Sequence, residues 1–401
     1  MDIIYLAGGC FWGTQYYMSL FEGVIDTVSG YANGNVAEPT YKQVYTDLTG
    51  HAECVKVLYD KDIISLATLC RVFFRSIDPL LVNRQGEDCG TRYRTGIYWT
   101  NDSDKAIVDQ VFEEVQAGYG HRLAVERLPL KCFYTAEEYH QKYLIKNPEG
   151  YCHLSSGLMK TASDYNGIIK ELRTHSDDEK KVVLPRFFKT GKGEYGEGDR
   201  FLGVIVPETR KVARKYADVS YDVLEWLLES EWHECRLCAL LMLVQKYKKS
   251  PDEAVGFYLT HTQGINNWDL VDLSAPYILG DYLVSREDRT ILKQLAESSD
   301  MWKQRIAVVS TLMLIRNRQY LDTLHLGEYF LTTRYDLMQK AVGWMLREVG
   351  KRDKELLEEF LEKHRLHMPR TMLRYAIEKF TPEERRYYMS DCRSPRRPAA
   401  I

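Results

Sequence analysis

Hydrophobic and polar positions alternate in short stretches through the first part of the chain. Residues 2–9 (DIIYLAGG), 53–60 (ECVKVLYD) and 95–100 (TGIYWT) have the alternation or β-rich composition of strands. Residues 65–77 and 103–118 repeat their apolar positions with the period of a helix. This mixture predicts an α+β domain, arranged as a two-layer sandwich of helices on a sheet.

Strand signals nearly vanish after about residue 160, and one amphipathic pattern follows another. Similar positions recur at the starts of apolar helices at steps of 36, 33, 35 and 34 residues, namely Arg236, Asp272, Arg305, Lys340 and Arg374. A period in the mid-thirties predicts paired helices stacked as an all-α solenoid, with a non-repetitive helical bundle as the alternative. We expect domains at residues 1–158 and 163–390, with a basic tail at 391–401.

Composition and charge narrow the class of protein. The apolar stretches are short, no basic segment precedes those at the N-terminus, and nine cysteines are irregularly spaced. These features predict a cytoplasmic protein without a membrane segment, signal peptide or disulfide framework. Residues 1–159 carry 14 Lys and Arg against 20 Asp and Glu, whereas the remainder carries 40 against 37. That asymmetry is a weak indication that the second part contacts an anion, and solvated helix faces explain it equally well.

Cys10 is the first candidate for chemistry. It follows a predicted strand and two glycines and opens a predicted helix, where free backbone N–H groups favour a thiolate. Phe11 and Trp12 come next, and aromatic faces suit a polarizable thioether methyl group. The alternative is a buried, unreactive cysteine in an apolar turn.

Around Cys10 the chain resembles the A-type peptide-methionine sulfoxide reductases. The resemblance covers residues 1 to about 157 and rests on five segments in the family's order: GGCFWG, SGYANG, PTYKQVYTDLTGHAECVKVLYD, DPLLVNRQGEDCGTRYRTGIY and EEYHQKYLIKNPEGYC. It implies reduction of methionine S-sulfoxide, free or in proteins. The family has no bound cofactor, and in most members thioredoxin is the external reductant. We expect no metal site.

The resemblance also implies roles for particular residues. Cys10 would attack the sulfoxide sulfur and become a sulfenic acid, which Cys152 would resolve as a disulfide. Glu53 would give a proton to the sulfoxide oxygen, which is a poor leaving group until it is protonated. The other members of the implied site would enclose the substrate methyl group or assist the proton transfer: Phe11, Trp12, Tyr41, Asp88 and Tyr93.

The sequence departs from the family pattern at three places. Cys89 stands where the family usually has His, Cys54 replaces a small apolar residue, and no further cysteine follows Cys152 in residues 153–160. These departures concern the recycling of Cys10 more than the reduction step.

The second part, from about residue 163 to 390, resembles the HEAT-repeat DNA alkylation repair family of alkylpurine DNA glycosylases. The matching segments are FFKTGKGEYGEGDRFLGVIVPETRKVARKY, INNWDLVDLSAPYILG, MWKQRIAVVS and QKAVGWMLREVGKRD. The resemblance implies a HEAT-like solenoid that binds duplex DNA and repairs alkylated bases.

Four residues are candidates for contact with DNA or for base excision: Trp268, Asp272, Arg305 and Trp344. Trp268 and Asp272 are four residues apart and therefore share a helix face. The aromatic rings would contact a cationic nucleotide, Arg305 would hold phosphate, and Asp272 would stabilise an oxocarbenium-like sugar or position water. Alternatively, the tryptophans belong to the core and the Asp–Arg pair links repeats, so that the helical domain is a non-catalytic DNA- or protein-binding module.

Overall fold

The computed structural model describes residues 1–390, which form two compact units, Met1–Thr174 and the residues from His175 onward. The basic tail expected at 391–401 lies outside the described residues. Each unit is described by itself.

The first unit combines eight strands and six helices among the described residues. The strands are β1 (Asp2–Gly8), β2 (Val24–Ala32), β3 (Ala52–Tyr59), β4 (Arg84–Gln85), β5 (Asp88–Cys89), β6 (Thr95–Trp99), β7 (Glu126–Pro129) and β8 (Phe133–Thr135). The helices are α1 (Phe11–Ser19), α2 (Tyr41–Tyr45), α3 (Leu66–Arg75), α4 (Asp102–Gln116), α5 (Tyr143–Lys146) and α6 (Ser156–Thr174). The α+β prediction is therefore confirmed.

Six of these strands form one sheet in the order β7-β6-β1-β3-β2-β8. Every pairing is antiparallel except that of β6 with β7. Strand β3 lies between β1 and β2, with Glu53 opposite Tyr31. Because helices α1 and α3 pack on strands of this sheet, side chains in its centre are withdrawn from solvent.

Helix α6 crosses the predicted gap between residues 158 and 163 and belongs to the first unit. The Asn166 side chain accepts a hydrogen bond from the Glu22 N–H at 2.9 Å. Arg173 pairs with the Glu22 carboxylate at 3.1 Å and donates to the Ile63 carbonyl at 3.1 Å. These contacts fix α6 beside the end of α1.

The second unit is built from short and long helices in succession. They are α7 (Asp178–Phe187), α8 (Val206–Lys215), α9 (Tyr221–Leu228), α10 (His233–Tyr247), α11 (Pro251–Thr260), α12 (Trp268–Ser274), α13 (Asp281–Val284), α14 (Thr290–Ala296), α15 (Met301–Arg316), α16 (Leu321–Tyr329), α17 (Asp336–Gly350), α18 (Lys354–His364), α19 (Arg370–Ala376) and α20 (Pro382–Met389). A π-helical turn, Pro276–Gly280, joins α12 to α13. None of the described helices is long and apolar enough to cross a membrane.

The repeat seen in the sequence corresponds to a series of helices that pack in succession. Helices α10, α12, α15, α17 and α19 begin at residues 233, 268, 301, 336 and 370, and each contacts the next. In each of these five helices the recurring position found in the sequence lies in the first turn or just after it. Between described residues 175 and 390 the only β pairing is a bridge between Arg200 and Trp232. The prediction of a helical second part is confirmed.

Candidate functional sites

Cys10 lies between β1 and α1, at the N-cap of the helix, with extended backbone angles. Its side chain is only 6% exposed. Burial raises the pKa of its thiol well above the usual value, and the charges of Glu53 and Asp88 add to the effect. The N–H groups of Trp12 and Gly13 act in the opposite direction, but they do not outweigh burial. The sulfur is therefore a neutral thiol at rest, rather than the thiolate that a helix N-terminus by itself would favour.

Glu53 lies on β3, in the centre of the sheet, and its side chain is next to Cys10. Its carboxylate accepts a hydrogen bond from the Phe11 N–H at 3.0 Å, and the side chain is 1% exposed. Burial raises its pKa to about 8, against the lowering effects of the Phe11 N–H and the Arg92 charge. At neutral pH most Glu53 side chains therefore carry a proton, which is what a proton donor requires.

Tyr41, the first residue of α2, and Tyr93, at the end of the 3-10 turn Thr91–Tyr93, stand near Glu53. Burial and the Glu53 charge raise the pKa of Tyr41 to about 12, and they raise that of Tyr93 as well. Both hydroxyls thus remain protonated and available as hydrogen-bond donors. Asp88, on β5, accepts a hydrogen bond from the Tyr151 hydroxyl at 3.0 Å.

Phe11 and Trp12 are held by aromatic neighbours that sequence reasoning did not select. The Trp12 indole N–H donates to His140 at 3.1 Å, and its ring stacks on Tyr143 at a centroid distance of 3.9 Å. Phe11 is buried, with the His140 ring 5.0 Å away. The motif EEYHQKYLIKNPEGYC contains both partners, but only the fold brings them to Trp12.

Cys152 is half-buried and lies against the first turn of α1. Its Sγ is 3.2 Å from the position that a Cβ would take at Gly13. Cys89 is exposed on β5, and Cys54 is buried in the sheet. Among Cys54, Cys89 and Cys152, it is Cys152 that lies against α1, the helix that Cys10 caps.

In the second unit, Trp268 begins α12 and Asp272 lies one turn later. The Asp272 carboxylate accepts two hydrogen bonds from Arg305, at 3.1 and 2.9 Å, and Arg305 also donates to the Leu337 carbonyl at 2.6 Å. Burial raises the pKa of Asp272, and Arg305 opposes that rise. Arg305 is 5% exposed, so its guanidinium is engaged within the protein. Trp344 lies on α17 and is partly exposed.

The segment between α7 and α8 adds aromatic rings that sequence reasoning did not select. Phe188 stacks on Trp268 with centroids 5.5 Å apart. Trp268 lies near the Tyr195 hydroxyl and opposes the rise that burial causes in its pKa, and the Tyr195 ring lies 6.0 Å from that of Trp302. GKGEYG, which contains Tyr195, resembles a nucleotide-binding loop only in its spacing, because no strand precedes it.

A buried network of charged side chains, centred on His233, lies next to the start of α12. Its ring nitrogens face Asp269 at 2.8 Å and Asp199 at 3.4 Å, and Arg236 pairs with Asp199 at 2.7 Å. Burial lowers the pKa of His233, but the two aspartates outweigh it, so the net shift is upward. Phe201 stacks on the same ring at 4.7 Å. The network fixes the start of α12 and hence the position of Trp268.

Comparisons with known proteins agree with both descriptions. Residues 2–169 match the sequence model for peptide methionine sulfoxide reductase, and residues 168–380 match that for DNA alkylation repair enzyme. The peptide methionine sulfoxide reductase MsrA of Clostridium acetobutylicum is 48% identical over 160 residues, which are 40% of this chain and 99% of that protein.

Two solved structures are similar to one part of the chain each. Reduced Mxr1 from Saccharomyces cerevisiae is 39% identical, and the match covers 38% of this chain and 91% of that chain, with a TM-score of 0.37. A predicted DNA alkylation repair enzyme from Enterococcus faecalis is 19% identical, and the match covers 52% and 98%, with a TM-score of 0.43.

Proposed function

The chain belongs to the peptide methionine sulfoxide reductase family through residues 2–169 and to the DNA alkylation repair enzyme family through residues 168–380, and from this premise we propose how its two sites work. Its first unit is an MsrA-type reductase of methionine sulfoxide. The steps of the reaction, the residues that perform them and the role of the second unit are the proposal.

The first step is attack of the Cys10 sulfur on the sulfoxide sulfur. Phe11 and Trp12 enclose the substrate methyl group. Glu53 protonates the sulfoxide oxygen, and Tyr41 and Tyr93 donate hydrogen bonds to it. Oxygen passes to Cys10 and the proton of the Cys10 thiol passes to Glu53, so the products are methionine and a Cys10 sulfenic acid, and Glu53 is again protonated. The observation that carries this proposal is the buried, protonated Glu53 beside the Cys10 helix turn.

Cys152 then attacks the Cys10 sulfenic acid, and water leaves as the disulfide forms. An external dithiol returns both cysteines to thiols and is itself oxidised. We assign thioredoxin to this step because an enzyme dithiol of low pKa reduces such a disulfide by thiol–disulfide exchange.

Replacing the two cysteines separately tests this sequence of steps. Cys10→Ser should form no methionine. Cys152→Ser should form about one equivalent per chain and then stop, because its sulfenic acid cannot be resolved. Cys89→Ser is the matched control and should cycle like the wild type. Methionine is measured after one turnover, and NADPH consumption with thioredoxin and its reductase reports cycling.

Two outcomes would contradict the proposal. If Cys152→Ser cycles normally and Cys89→Ser does not, Cys89 is the resolving cysteine. Equal turnover of the R and S epimers of methionine sulfoxide would be inconsistent with this reductase class, since each class reduces one epimer.

For the second unit we propose binding of duplex DNA and excision of alkylated purines at Trp268 and Asp272. The favouring observation is the partly exposed Trp268 one turn from a carboxylate that Arg305 holds in place. Trp344 supplies a second aromatic face. The engagement of Arg305 with Asp272 supports a positioning role for Arg305 and leaves phosphate contact to other cations. The alternative remains a non-catalytic DNA- or protein-binding module.

DNA binding by the full chain should depend steeply on salt. Contacts with phosphate release counterions, so the logarithm of affinity should fall by about 0.9 per neutralised phosphate for each log unit of salt. Fluorescence anisotropy with duplexes of unrelated sequence measures both the slope and the sequence preference. Absence of binding at low salt, or binding that ignores salt, would favour a protein-binding module.

A further inference from the structure

His153 lies in the reductase site but has no part in the steps proposed above. One ring nitrogen, one Asp88 carboxylate oxygen and the Cys10 sulfur all lie within 4.8 Å of one another. Both ring nitrogens are buried, and neither makes a well-formed hydrogen bond with the described residues. A buried imidazole without such a partner beside a reactive sulfur is available for proton transfer.

Gly13 shows how closely His153 and Cys152 approach the start of α1. A Cβ at Gly13 would stand 2.9 Å from the His153 ring and 3.2 Å from the Cys152 sulfur. The N–H groups of Trp12 and Gly13 face the Cys10 sulfur from the same turn. His153 is therefore next to both sulfurs that must join when the sulfenic acid is resolved.

The resolution step needs a group that moves a proton. Burial raises the pKa of Cys152, so its sulfur is a neutral thiol at physiological pH, whereas the attacking species in such reactions is the thiolate. The hydroxyl group of the Cys10 sulfenic acid is a poor leaving group until it is protonated. Burial lowers the pKa of His153, against the opposing effects of Asp88 and the Gly8 carbonyl, so the ring is neutral and can accept a proton.

We propose that His153 is the acid–base catalyst of disulfide formation. It takes the proton of the Cys152 thiol as that sulfur attacks the sulfenic sulfur of Cys10. The S–S bond forms, the S–O bond of Cys10 breaks, and His153 gives the proton to the departing hydroxyl, which leaves as water. No external oxidant or reductant enters this step. Asp88 stabilises the transient imidazolium.

This inference rests on the proposed role of Cys152, and the experiment separates the two. Full-length wild type, His153→Asn and His153→Gln are each mixed with one equivalent of methionine S-sulfoxide without thioredoxin. Methionine formation, trapping of sulfenic acid by dimedone and loss of two free thiols are followed in time. His121→Asn, a change of an exposed histidine in the same unit, is the matched control.

Both His153 variants should form methionine at the wild-type rate, which also shows that they are folded. Their sulfenic acid should accumulate, and disulfide formation should be slower by about 10²-fold, as expected from loss of a general acid–base group. His121→Asn should match the wild type throughout.

Three results would overturn the assignment. Disulfide formation in both variants at the wild-type rate would exclude His153 from the step. If methionine formation in the variants is slowed as much as disulfide formation, His153 acts in the activation of Cys10 or in folding instead. A change of the wild-type rates on addition of EDTA would assign the three clustered groups to a metal ion. If wild type forms no methionine, the proposed function itself fails, and this is a separate outcome.

Discussion

Glu53→Gln should lower the rate of methionine formation in the first turnover by about 10²–10⁴-fold, the usual contribution of a general acid. Gln can accept the Phe11 N–H bond but has no proton of suitable acidity to give. Glu114→Gln, which changes a carboxylate paired with Arg71 at the surface, is the matched control and should keep the wild-type rate. Quenched-flow measurement of methionine after one turnover distinguishes the two variants.

The same substitution should make folding less sensitive to pH. The pKa of Glu53 is about 8 in the folded chain, against an ordinary value of 4.5, so the folded state binds this proton more tightly than the unfolded state. The corresponding stability is present in full below about pH 4.5 and is lost as pH rises towards about 8. Thermal unfolding across this range should show that loss in wild type and a smaller one in Glu53→Gln.

A proton-donor role for Glu53 requires both results together. An unchanged first-turnover rate in Glu53→Gln would exclude that role. A slow variant that is also less stable than wild type at pH 8 would instead indicate a structural defect, because removal of a buried carboxylate should stabilise the fold at that pH.

Asp272→Asn should reduce excision of a cationic N-alkylated purine by about 10²-fold or more, the typical cost of losing one electrostatic stabiliser. Base release develops positive charge on the sugar, and a carboxylate stabilises that charge mainly in the transition state. DNA affinity should hold or rise slightly, since a negative charge near phosphate is removed. Release of alkylpurine and anisotropy of labelled duplex measure the two effects.

Asp322→Asn is the matched control for Asp272→Asn. Asp322 pairs with Arg289 at 2.7 Å. The two residues of this pair are 33 positions apart in sequence, as are Asp272 and Arg305. Each variant loses an ion pair and with it some thermal stability, but only Asp272→Asn should lose excision. If wild type releases no alkylpurine above the spontaneous rate and the two variants differ from it only in stability, Asp272 is a link between repeats and the non-catalytic alternative holds.

Local sequence patterns predicted part of the strands and helices of the first unit and the succession of helices in the second. Alternating positions predicted β3 because adjacent side chains of a strand face opposite sides, and β-rich composition predicted β1 and β6. The helical period of the apolar positions predicted α3 and α4. The period in the second unit placed the starts of the five helices α10, α12, α15, α17 and α19. The position of Cys10 between a strand and a helix followed from two glycines and the helix pattern after them.

The protonation states and ion pairs of the two sites depend on tertiary packing. An alternating strand does not show whether its second face is covered, so Glu53 reads as a surface residue, whereas packing on both faces of the sheet buries it and raises its pKa. The same burial keeps Cys10 a thiol despite its helix terminus. The sequence left open whether Arg305 holds phosphate or pairs with Asp272, and the fold brings the Asp272 carboxylate to it. The Cys10–Asp88–His153 cluster joins three segments distant in sequence. Periodicity is a local property of the chain, whereas desolvation and ion pairing depend on which distant segments meet, and that is settled only when the chain is folded.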